Sequence, residues 1–505
     1  MKKFITLFSV FFVCFTASFA QYEKQTAYLD SYLETAVKDW NLPSLSIGIV
    51  KDGQVVFQRS YGYLKNGEET KADENSIYAI ASLSKAFTTA CIGMLVDEGK
   101  LNWDDRVIDH LPYFELHDPW VTANMTIRDL LSHRSGLATF DGDVLWYGTD
   151  YSREEIVRRI RQLPLKQNFR ADYGYQNIMF ITAGELIEAV SGVSWDDFVR
   201  ERIFKPLDMD RSYTNFSDIN LQDNMSYPHL KGKPITHLSY NNSGATAAIH
   251  SNVDDMCNWI KFWLNKGIVG SDTLLSTSAI NELHMQHTVI RTSGFDAHNG
   301  THFKGYGMGW FLMDYNGKKV VHHGGGLPGY ISKIALVPEE NLGMIVLTND
   351  MSWLPSALTY KVIDIFTRED PAERDWSKEY LGYSDNNDKK EAEKTVLRHE
   401  ARVEKTKPSK ALSDYAGVYE DKMYGRAIIA LNGKKLHLEM VPTRQIFTAD
   451  LNHWHYDTFQ FTFEDPFLPE GFLTFKLNSD GKVTGFTIDL PNPDFNFYNL
   501  NFEKQ

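Results

Sequence analysis

Residue patterns typical of strands occur at both ends of the first two thirds of the chain, and a long block of helical patterns separates them. Residues 44–63 (SLSIGIVKDGQVVFQRSYGY) predict two strands joined by a Lys-Asp-Gly turn. Residues 318–368 predict a strand, a hairpin and a closing helix, while TIRDLLSHRSGL and ITAGELIEAVSG predict helices that end near glycine. Because the strands do not alternate with the helices, the pattern predicts an α+β domain over residues 21–368 and not a repeated β-α-β fold.

The last part of the chain has a different pattern. Residues 411–505 contain short strand patterns, recurring aromatic residues and two hairpin turns, at Asn432-Gly433 and Asp480-Gly481. They predict a second domain, a small antiparallel sheet or β-barrel. Residues 369–410 are dense in charged residues and poor in large apolar ones, which predicts a charged linker that is helical in part.

The first twenty residues combine a basic start, an apolar run and a small-residue end at Ser18-Phe19-Ala20. This pattern predicts a secretory signal peptide over residues 1–20, cleaved after Ala20, with an uncleaved membrane anchor as the alternative. No later segment is long and apolar enough to span a bilayer. Cys91 and Cys257 remain, and their apolar helical surroundings predict buried free thiols without a disulfide framework. We expect an exported bacterial protein, periplasmic or secreted.

Composition argues against several classes of function. The formal net charge of −14 at pH 7 argues against nucleic acid as a partner, because phosphate binding needs a basic surface. With 43% hydrophobic residues the chain can bury a large core, which argues against global disorder. The sequence has no Cys/His cluster with zinc-like spacing, no Walker loop and no dinucleotide fingerprint, so we expect neither a metal nor an organic cofactor. It does not specify an oligomeric state.

The candidate chemistry starts at the stretch SIYAIASLSKAFTTA, in which Lys85 follows Ser82 by three residues. A helical pattern begins here, so Ser82 is predicted at a helix N-terminus and Lys85 one turn later on the same face. A neutral lysine there can take the serine proton, and unpaired backbone N–H groups can stabilise an oxyanion. The alternative is that Ser82 is only an N-cap. The spacing alone is weak evidence, because Ser479 and Lys482 repeat it in a predicted hairpin turn.

Two further stretches could complete a serine hydrolase site. Tyr175 and Asn177 stand just before an amphipathic helix, as a loop-borne catalytic group would, although the Tyr-x-Asn spacing recurs at 213–215 and 240–242. His323 precedes a run of three glycines at a predicted strand end, where the backbone can approach a ligand closely. A structural turn is the alternative for this run. The sequence has no Gly-x-Ser-x-Gly motif, which disfavours an α/β-hydrolase triad.

In this order, the three stretches resemble the motifs of the serine β-lactamase and penicillin-binding protein superfamily, and most closely its class C-like branch of serine hydrolases. The similarity covers most of residues 30–367 and includes the segments MTIRDLLSHRSGLATF, IFKPLDMDRSYT and VHHGGGLPGYISKIALVPEENLGMIVLTN. It implies a β-lactamase/transpeptidase-like domain, an antiparallel sheet flanked by helices with a helical subdomain. Residues 411–505 resemble the lipocalin-like β-domains of some relatives. Such a domain could restrict the site, bind a ligand or mediate assembly.

The resemblance also implies catalytic roles. Ser82 would be the acylated nucleophile and Lys85 its partner in proton transfer. Tyr175 would be a general base or proton shuttle. The backbone N–H groups of Ser82 and Gly326 would form the oxyanion hole. Ser135, in the SHRSGL stretch, is expected to be structural.

By the same resemblance, Asn177, His323 and Gly325 would bind the substrate. Class C β-lactamases usually carry lysine where this chain has His323, whereas histidine recurs in the peptidase and esterase members. Histidine is a weaker and pH-dependent cation for a substrate carboxylate, which argues against strong β-lactamase activity. The sequence leaves open whether His322 or His323 faces the site, and the alignment through Pro328-Gly329 favours His323.

These inferences predict an exported serine hydrolase that forms an acyl-enzyme on Ser82 and acts on a small peptide, amide or ester. Peptides that contain D-amino acids or resemble peptidoglycan are favoured by the resemblance and by export. A carboxylesterase or a weak β-lactamase of the same fold is the alternative among enzymes. A non-catalytic receptor for penicillin or cell-wall peptides is the alternative from another class.

Overall fold

The computed structural model describes residues 22–492 and 494–505, and the predicted signal peptide lies outside them. The first domain is built on a sheet of strands β1 Ser44–Lys51, β2 Gln54–Gly62, β3 Thr288–Ile290, β4 Lys304–Tyr306, β5 Phe311–Tyr315, β6 Lys318–Leu327, β7 Tyr330–Val337 and β8 Leu342–Thr348. Their order is β2-β1-β8-β7-β6-β5-β4-β3, and each neighbouring pair is antiparallel. Strands from the two ends of the domain therefore share one sheet, as the α+β prediction requires.

The predicted first hairpin is confirmed, with Lys51 paired to Gln54. Its two turn residues, Asp52 and Gly53, have positive φ angles of 51° and 77°. Aspartate tolerates this left-handed conformation and glycine has no Cβ to oppose it, so Asp-Gly suits the tight turn between twisted strands.

Helices cover both faces of the sheet. The long ones are α1 Glu23–Asp39, α2 Ser84–Asp97, α3 Asn177–Ser191, α4 Val253–Leu264, α5 Leu354–Thr367 and α6 Trp376–Glu400. Shorter helices are Val107–His110, Pro119–Asn124, Ile127–Leu131, Arg153–Arg159, Trp195–Val199, Gly244–Ala247, Thr277–Leu283, Gly294–His298 and Leu412–Tyr415.

Two hydrophobic cores result, because side chains alternate along each strand. Ile345 and Leu347 of β8 enter the core that holds α2, α3 and α4. Met344 and Val346 of the same strand enter the core that holds α1 and α5. The sheet is thus a central layer, and the helical subdomain between β2 and β3 covers the face on which the candidate residues lie.

The C-terminal domain is a closed antiparallel barrel, which confirms the predicted β-rich fold. Its aromatic interior includes Tyr419, Phe475 and Phe486, with neighbouring ring centroids 4.9–6.2 Å apart. Tyr419 pairs with Lys504 to close the barrel between its first and last strands. The barrel strands are β9 Gly417–Asp421, β10 Gly425–Asn432, β11 Lys435–Met440, β12 Thr448–His455, β13 Thr458–Phe461, β14 Gly471–Leu477, β15 Val483–Asp489 and β16 Phe502–Lys504.

Most of the predicted linker, residues 369–410, is the single helix α6. Its first turn belongs to the first domain, since Trp376 is fully buried and stacks on Tyr360 of α5 with ring centroids 4.5 Å apart. The indole N–H of Trp376 donates to Asp364 at 2.8 Å. The later turns are exposed and charged, and His399 near the end contacts Glu470 of the barrel at 2.7 Å. The segment therefore connects the domains as a helix that is anchored at both ends.

The barrel also contacts the first domain directly, through the loop of residues 139–151. The side chain of Asn496 donates to Asp141 at 2.8 Å and to the carbonyl oxygen of Thr139 at 3.0 Å. The hydroxyl of Tyr147 donates to Asp465 at 2.7 Å. Asp141 is completely buried at this contact, so its hydrogen bonds to the barrel are shielded from water.

The two cysteines among the described residues, Cys91 and Cys257, are buried free thiols, as predicted. In the part of the chain that the structure describes, no single helix is long and apolar enough to cross a membrane. The helices Asn177–Ser191 and Trp195–Phe204 meet the length and composition criteria only as a pair, which is bent by 80°.

We predict that Trp376→Ala lowers the free energy of unfolding by about 3–5 kcal/mol, because it leaves a cavity beside Tyr360 and removes the indole hydrogen bond to Asp364. Guanidinium denaturation would measure this loss. Val396→Ala is the control on the same helix, since Val396 is exposed, and it should change stability by less than about 0.5 kcal/mol. Equal effects of the two substitutions would contradict the anchoring role.

Candidate active site

Ser82 lies in a single 3-10 turn, Ala81–Leu83, directly before α2. The preceding Ala81 has a φ of 50°, a left-handed conformation that costs energy for a residue with a Cβ. Ser84 holds the turn, because its hydroxyl donates to the carbonyl oxygen of Ala81 at 2.7 Å and accepts the N–H of Ile249 at 3.1 Å. The position of Ser82 is therefore set by contacts on both sides of the turn, in a strained backbone of the kind that clusters at functional sites.

Lys85 is fully buried one turn later and brings its amine to Ser82. Its Nζ lies 3.0 Å from Ser82 Oγ, 2.7 Å from Asn177 Oδ1 and 3.1 Å from the carbonyl oxygen of Thr246. The latter two oxygens belong to C=O groups and can only accept hydrogen bonds. A neutral amine has two N–H bonds and one lone pair, so the lone pair remains for the Ser82 hydroxyl.

Burial favours this neutral form. Desolvation holds the pKa of Lys85 well below its ordinary value, and the nearby carboxyl of Asp143 opposes the shift only in part. Burial also raises the pKa of Asp143 to about 8, so this carboxyl is largely protonated at neutral pH. The surroundings of Ser82 therefore carry little charge at rest.

Tyr175 approaches Ser82 from the loop before α3, with Lys85 Nζ 4.8 Å from the centroid of its ring. Burial raises the pKa of Tyr175 above its ordinary value, and a hydrogen bond with Ser82 opposes the shift. The phenol therefore keeps its proton. His133 supports the ring, with centroids 4.3 Å apart, and accepts the backbone N–H of Gln176 at 3.0 Å.

Asn177 begins α3 and links Lys85 to a buried carboxyl group. Its Nδ2 donates to Asp143 Oδ2 at 2.5 Å, which orients the amide so that Oδ1 faces Lys85. The hydroxyl of Thr246 donates to the same Oδ1 at 3.0 Å. Asp143 thus fixes the orientation of Asn177 and, through it, one N–H of Lys85.

His323 lines the same cavity as Ser82, but both of its ring nitrogens have partners. Nδ1 lies 2.6 Å from the carbonyl oxygen of Gly324, and Nε2 lies 3.0 Å from the hydroxyl of Tyr306. A carbonyl oxygen only accepts, so the proton sits on Nδ1 and Nε2 accepts from Tyr306. Burial and the neighbouring lysines hold the pKa of His323 well below its ordinary value. These contacts and this pKa favour a neutral ring, and the expected role of His323 in substrate binding stays a prediction.

The glycine run continues along β6, beside Ser82. A Cβ on Gly325 would lie 2.4 Å from the carbonyl oxygen of Ile80 and 3.0 Å from the N of Ser82, so only glycine fits between the strand and the 3-10 turn. The next residue, Gly326, lines the cavity together with Ser82. The structure thus places the two predicted oxyanion-hole residues at one cavity.

This cavity has a volume of about 630 Å³ and receives a wall from the barrel. Phe467, Asp494 and Phe495 of the barrel domain line it opposite residues of the sheet and the helical subdomain. Its apolar lining residues are Phe140, Trp146, Phe311, Leu327, Ile331, Met351, Phe467 and Phe495. A cavity of this size and lining suits a small organic ligand or a short peptide.

The structure brings together Ser82, Lys85, Tyr175, Asn177 and His323, which come from three separate parts of the chain. The second Ser-x-x-Lys pair lies apart from them in the β14–β15 turn. Ser135 is fully buried and accepts the N–H of Leu137 at 3.3 Å, consistent with the expected structural role.

Sequence reasoning missed several residues that shape the site: His133, Asp143, Thr246, Tyr306, Lys333 and Asp494. None stands in a recognisable spacing with Ser82. The stretch FDGDVLW places Asp143 among apolar residues. This is the one local signal in the sequence that a buried carboxyl is present.

Comparison with known proteins identifies the family to which the chain belongs. Residues 29–363 match the model of the family described as Beta-lactamase, so the chain belongs to the Beta-lactamase family. Residues 401–504, which include the barrel, match a domain of unknown function, DUF3471.

Two relatives extend this result. The unguisins hydrolase ungD' of Aspergillus campestris is 31% identical over 364 residues, which cover 68% of this chain and 65% of the relative. Protein flp of Staphylococcus aureus strain MW2 is 27% identical over 327 residues, 64% of this chain and 62% of that protein. The chain thus spans less than two thirds of the length of these two relatives. Family membership and the hydrolase name support a hydrolase at the level of the family.

A solved structure shows the same fold over nearly the whole chain. The octameric penicillin-binding protein homologue from Pyrococcus abyssi aligns with a TM-score of 0.60 over 95% of this chain and 99% of that chain. The sequence identity is 20%, so this likeness concerns the fold alone.

We predict that the His323 ring is neutral at pH 6.5, the ordinary midpoint of histidine, with its proton on Nδ1. Nitrogen-15 NMR of labelled protein distinguishes the two ring nitrogens, and a His323→Asn variant would assign the signals. A ring that is half protonated at pH 6.5 would contradict the arrangement with Tyr306 and Gly324.

Proposed function

We propose that this protein is an exported serine hydrolase that works through an acyl-enzyme on Ser82. One observation carries the proposal. Lys85 is buried, its pKa is lowered, and two of its three hydrogen-bonding partners are carbonyl oxygens, so its lone pair faces Ser82 Oγ at 3.0 Å. A serine whose proton can pass to a neutral amine is an activated nucleophile. An N-cap role alone would not require a buried lysine.

Acylation follows from this geometry. Ser82 Oγ forms a bond to the carbonyl carbon of the substrate while its proton passes to Lys85 Nζ. The bond from that carbon to the leaving nitrogen or oxygen then breaks, and the leaving atom takes the proton of the Tyr175 hydroxyl. Lys85 returns a proton to Tyr175. The raised pKa of Tyr175 favours this role as a proton shuttle over a role as a resting phenolate base.

Deacylation uses the same groups. Water attacks the acyl carbon and gives a proton to Lys85. The bond from that carbon to Ser82 Oγ then breaks, and Oγ takes the proton that Lys85 returns. In both steps the backbone N–H groups of Ser82 and Gly326 would hold the negative charge that develops on the carbonyl oxygen. The close fit of Gly325 against the N of Ser82 supports this placement of the strand.

The substrate class that we propose is a small peptide or amide, with D-amino-acid or peptidoglycan-like peptides favoured. Support comes from the cavity of about 630 Å³ with mixed apolar and charged walls, and from a relative named as an unguisins hydrolase. The basic and apolar pattern of residues 1–20 supports export to the periplasm or beyond. An ester substrate is the second candidate, because the apolar walls accept an acyl chain equally well.

We predict that Ser82→Ala lowers kcat/KM at least about 10³-fold on every substrate that the parent turns over. The assay panel is p-nitrophenyl acetate, D- and L-alanine p-nitroanilide and a chromogenic cephalosporin. Ser479→Ala is the matched control, since Ser479 has the same spacing to a lysine but lies in the exposed β14–β15 turn, and it should retain full activity.

The pattern of results separates the candidate functions. Preferred cleavage of the D-anilide supports the peptidase, and turnover of the ester alone supports the esterase. Intact-protein mass spectrometry that shows one stable penicillin adduct without turnover would favour the receptor. Full activity of Ser82→Ala would show that the nucleophile lies elsewhere.

We predict that kcat/KM falls as pH falls through the lowered pKa of Lys85, because only the neutral amine accepts the serine proton. Lys85→Arg should be inactive across the pH range, since the guanidinium group keeps its proton. A pH profile with p-nitrophenyl acetate measures both effects. An active Lys85→Arg variant would contradict the role of Lys85 as the base.

A further inference from the structure

We propose that Lys333, with His322 and Lys304, forms a subsite that binds a carboxylate of the substrate. This inference rests on the proposed function and deepens it, because it names a specificity determinant outside the three motifs. The three side chains line the same cavity as Ser82. They come from neighbouring strands: Lys304 from β4, His322 from β6 and Lys333 from β7.

Lys333 reaches the cavity because the residue opposite it has no side chain. Lys333 pairs with Gly324 across β6 and β7, and its Cδ lies 3.9 Å from the position that a Cβ of Gly324 would occupy. The lysine stem therefore crosses Gly324. Its ammonium group ends 2.9 Å from Nδ1 of His322.

His322 presents a second donor to this place. Its Nδ1 accepts from Lys333, so the neutral ring carries its proton on Nε2. The residue is 9% exposed, and Nε2 has no hydrogen-bond partner among residues 22–492 and 494–505. Phe311 stacks on the ring, with centroids 5.6 Å apart, and fixes its orientation. A buried polar group without a partner is costly, and a ligand atom that accepts from it removes that cost.

Lys333 also lacks an anionic partner. In the described part of the chain, no carboxylate oxygen lies within 4.0 Å of its Nζ, whereas Lys304 is paired with Asp296 at 2.9 Å. Burial and the charge of Lys304 lower the pKa of Lys333 to about 8, so it is mostly protonated at neutral pH. A half-buried ammonium group that lines a ligand cavity and has no carboxylate partner is matched by a carboxylate.

The neighbouring histidine does not compete for this role. Both nitrogens of His323 are engaged, by Tyr306 and by the carbonyl oxygen of Gly324. The cation that the sequence led us to expect at position 323 is therefore supplied by Lys333, from the next strand of the sheet.

The test measures binding without catalysis. In the Ser82→Ala background, calorimetry at pH 7 compares N-acetyl-D-alanyl-D-alanine with its C-terminal amide, which differs by one charge. We expect the acid to bind at least about tenfold more tightly than the amide, as charge-assisted hydrogen bonds predict. Adding Lys333→Met, which keeps the length of the side chain but removes its charge, should bring the two affinities within about twofold.

Lys389→Met in the same background is the control, because it removes one positive charge from the exposed part of α6 and should keep the preference. Equal binding of acid and amide, binding of neither, or a preference that survives Lys333→Met would each overturn the subsite. A failure of the proposed function looks different, since it appears as an active Ser82→Ala enzyme or an inactive parent and leaves these affinities unaffected.

Discussion

The candidate site depends on one constraint: the Lys85 amine is buried and has no contact with water. A charged ammonium group there would need anionic compensation, but its closest partners are a serine hydroxyl, an amide oxygen and a backbone carbonyl. The groups next to Lys85 resolve this by staying uncharged. His133 and His323 are held neutral by burial, and the carboxyl of Asp143 is protonated at neutral pH. The low dielectric that would penalise a charge favours the neutral amine, which is the form that the proposed mechanism needs as a base.

The parts of the site that could be predicted from the sequence are those set by residue patterns within a single helix or strand. Helical spacing places Lys85 beside Ser82, and a strand end followed by glycines places Gly325 against the 3-10 turn. The parts that could not be predicted depend on pairing between distant segments. Lys333 reaches the cavity through strand register with Gly324, and Asp143 meets Asn177 across two loops. No spacing within one segment encodes such contacts.

The predicted linker illustrates the same limit. Its charge density gave no reason to expect that Trp376 and Tyr380 would enter a core, although both are large apolar residues at helical spacing. The charged later turns of α6 face solvent, whereas the apolar residues at its start pack into the core that holds α1 and α5. The composition of residues 369–410 as a whole averages the two environments, so it predicts neither the buried start of α6 nor its exposed later turns.

The docking loop of residues 139–151 has a consequence for how the two domains act on one another. It carries Asp143, which orients the amide that holds Lys85, and it also receives the barrel at Asp141 and Tyr147. The barrel helps to keep this loop dry, so displacing it would admit solvent to Asp143 and raise the proton affinity of Lys85 toward that of an exposed lysine. In the proposed mechanism, the strength of Lys85 as a base is in this way a property of the assembled pair of domains, and the first domain alone does not set it.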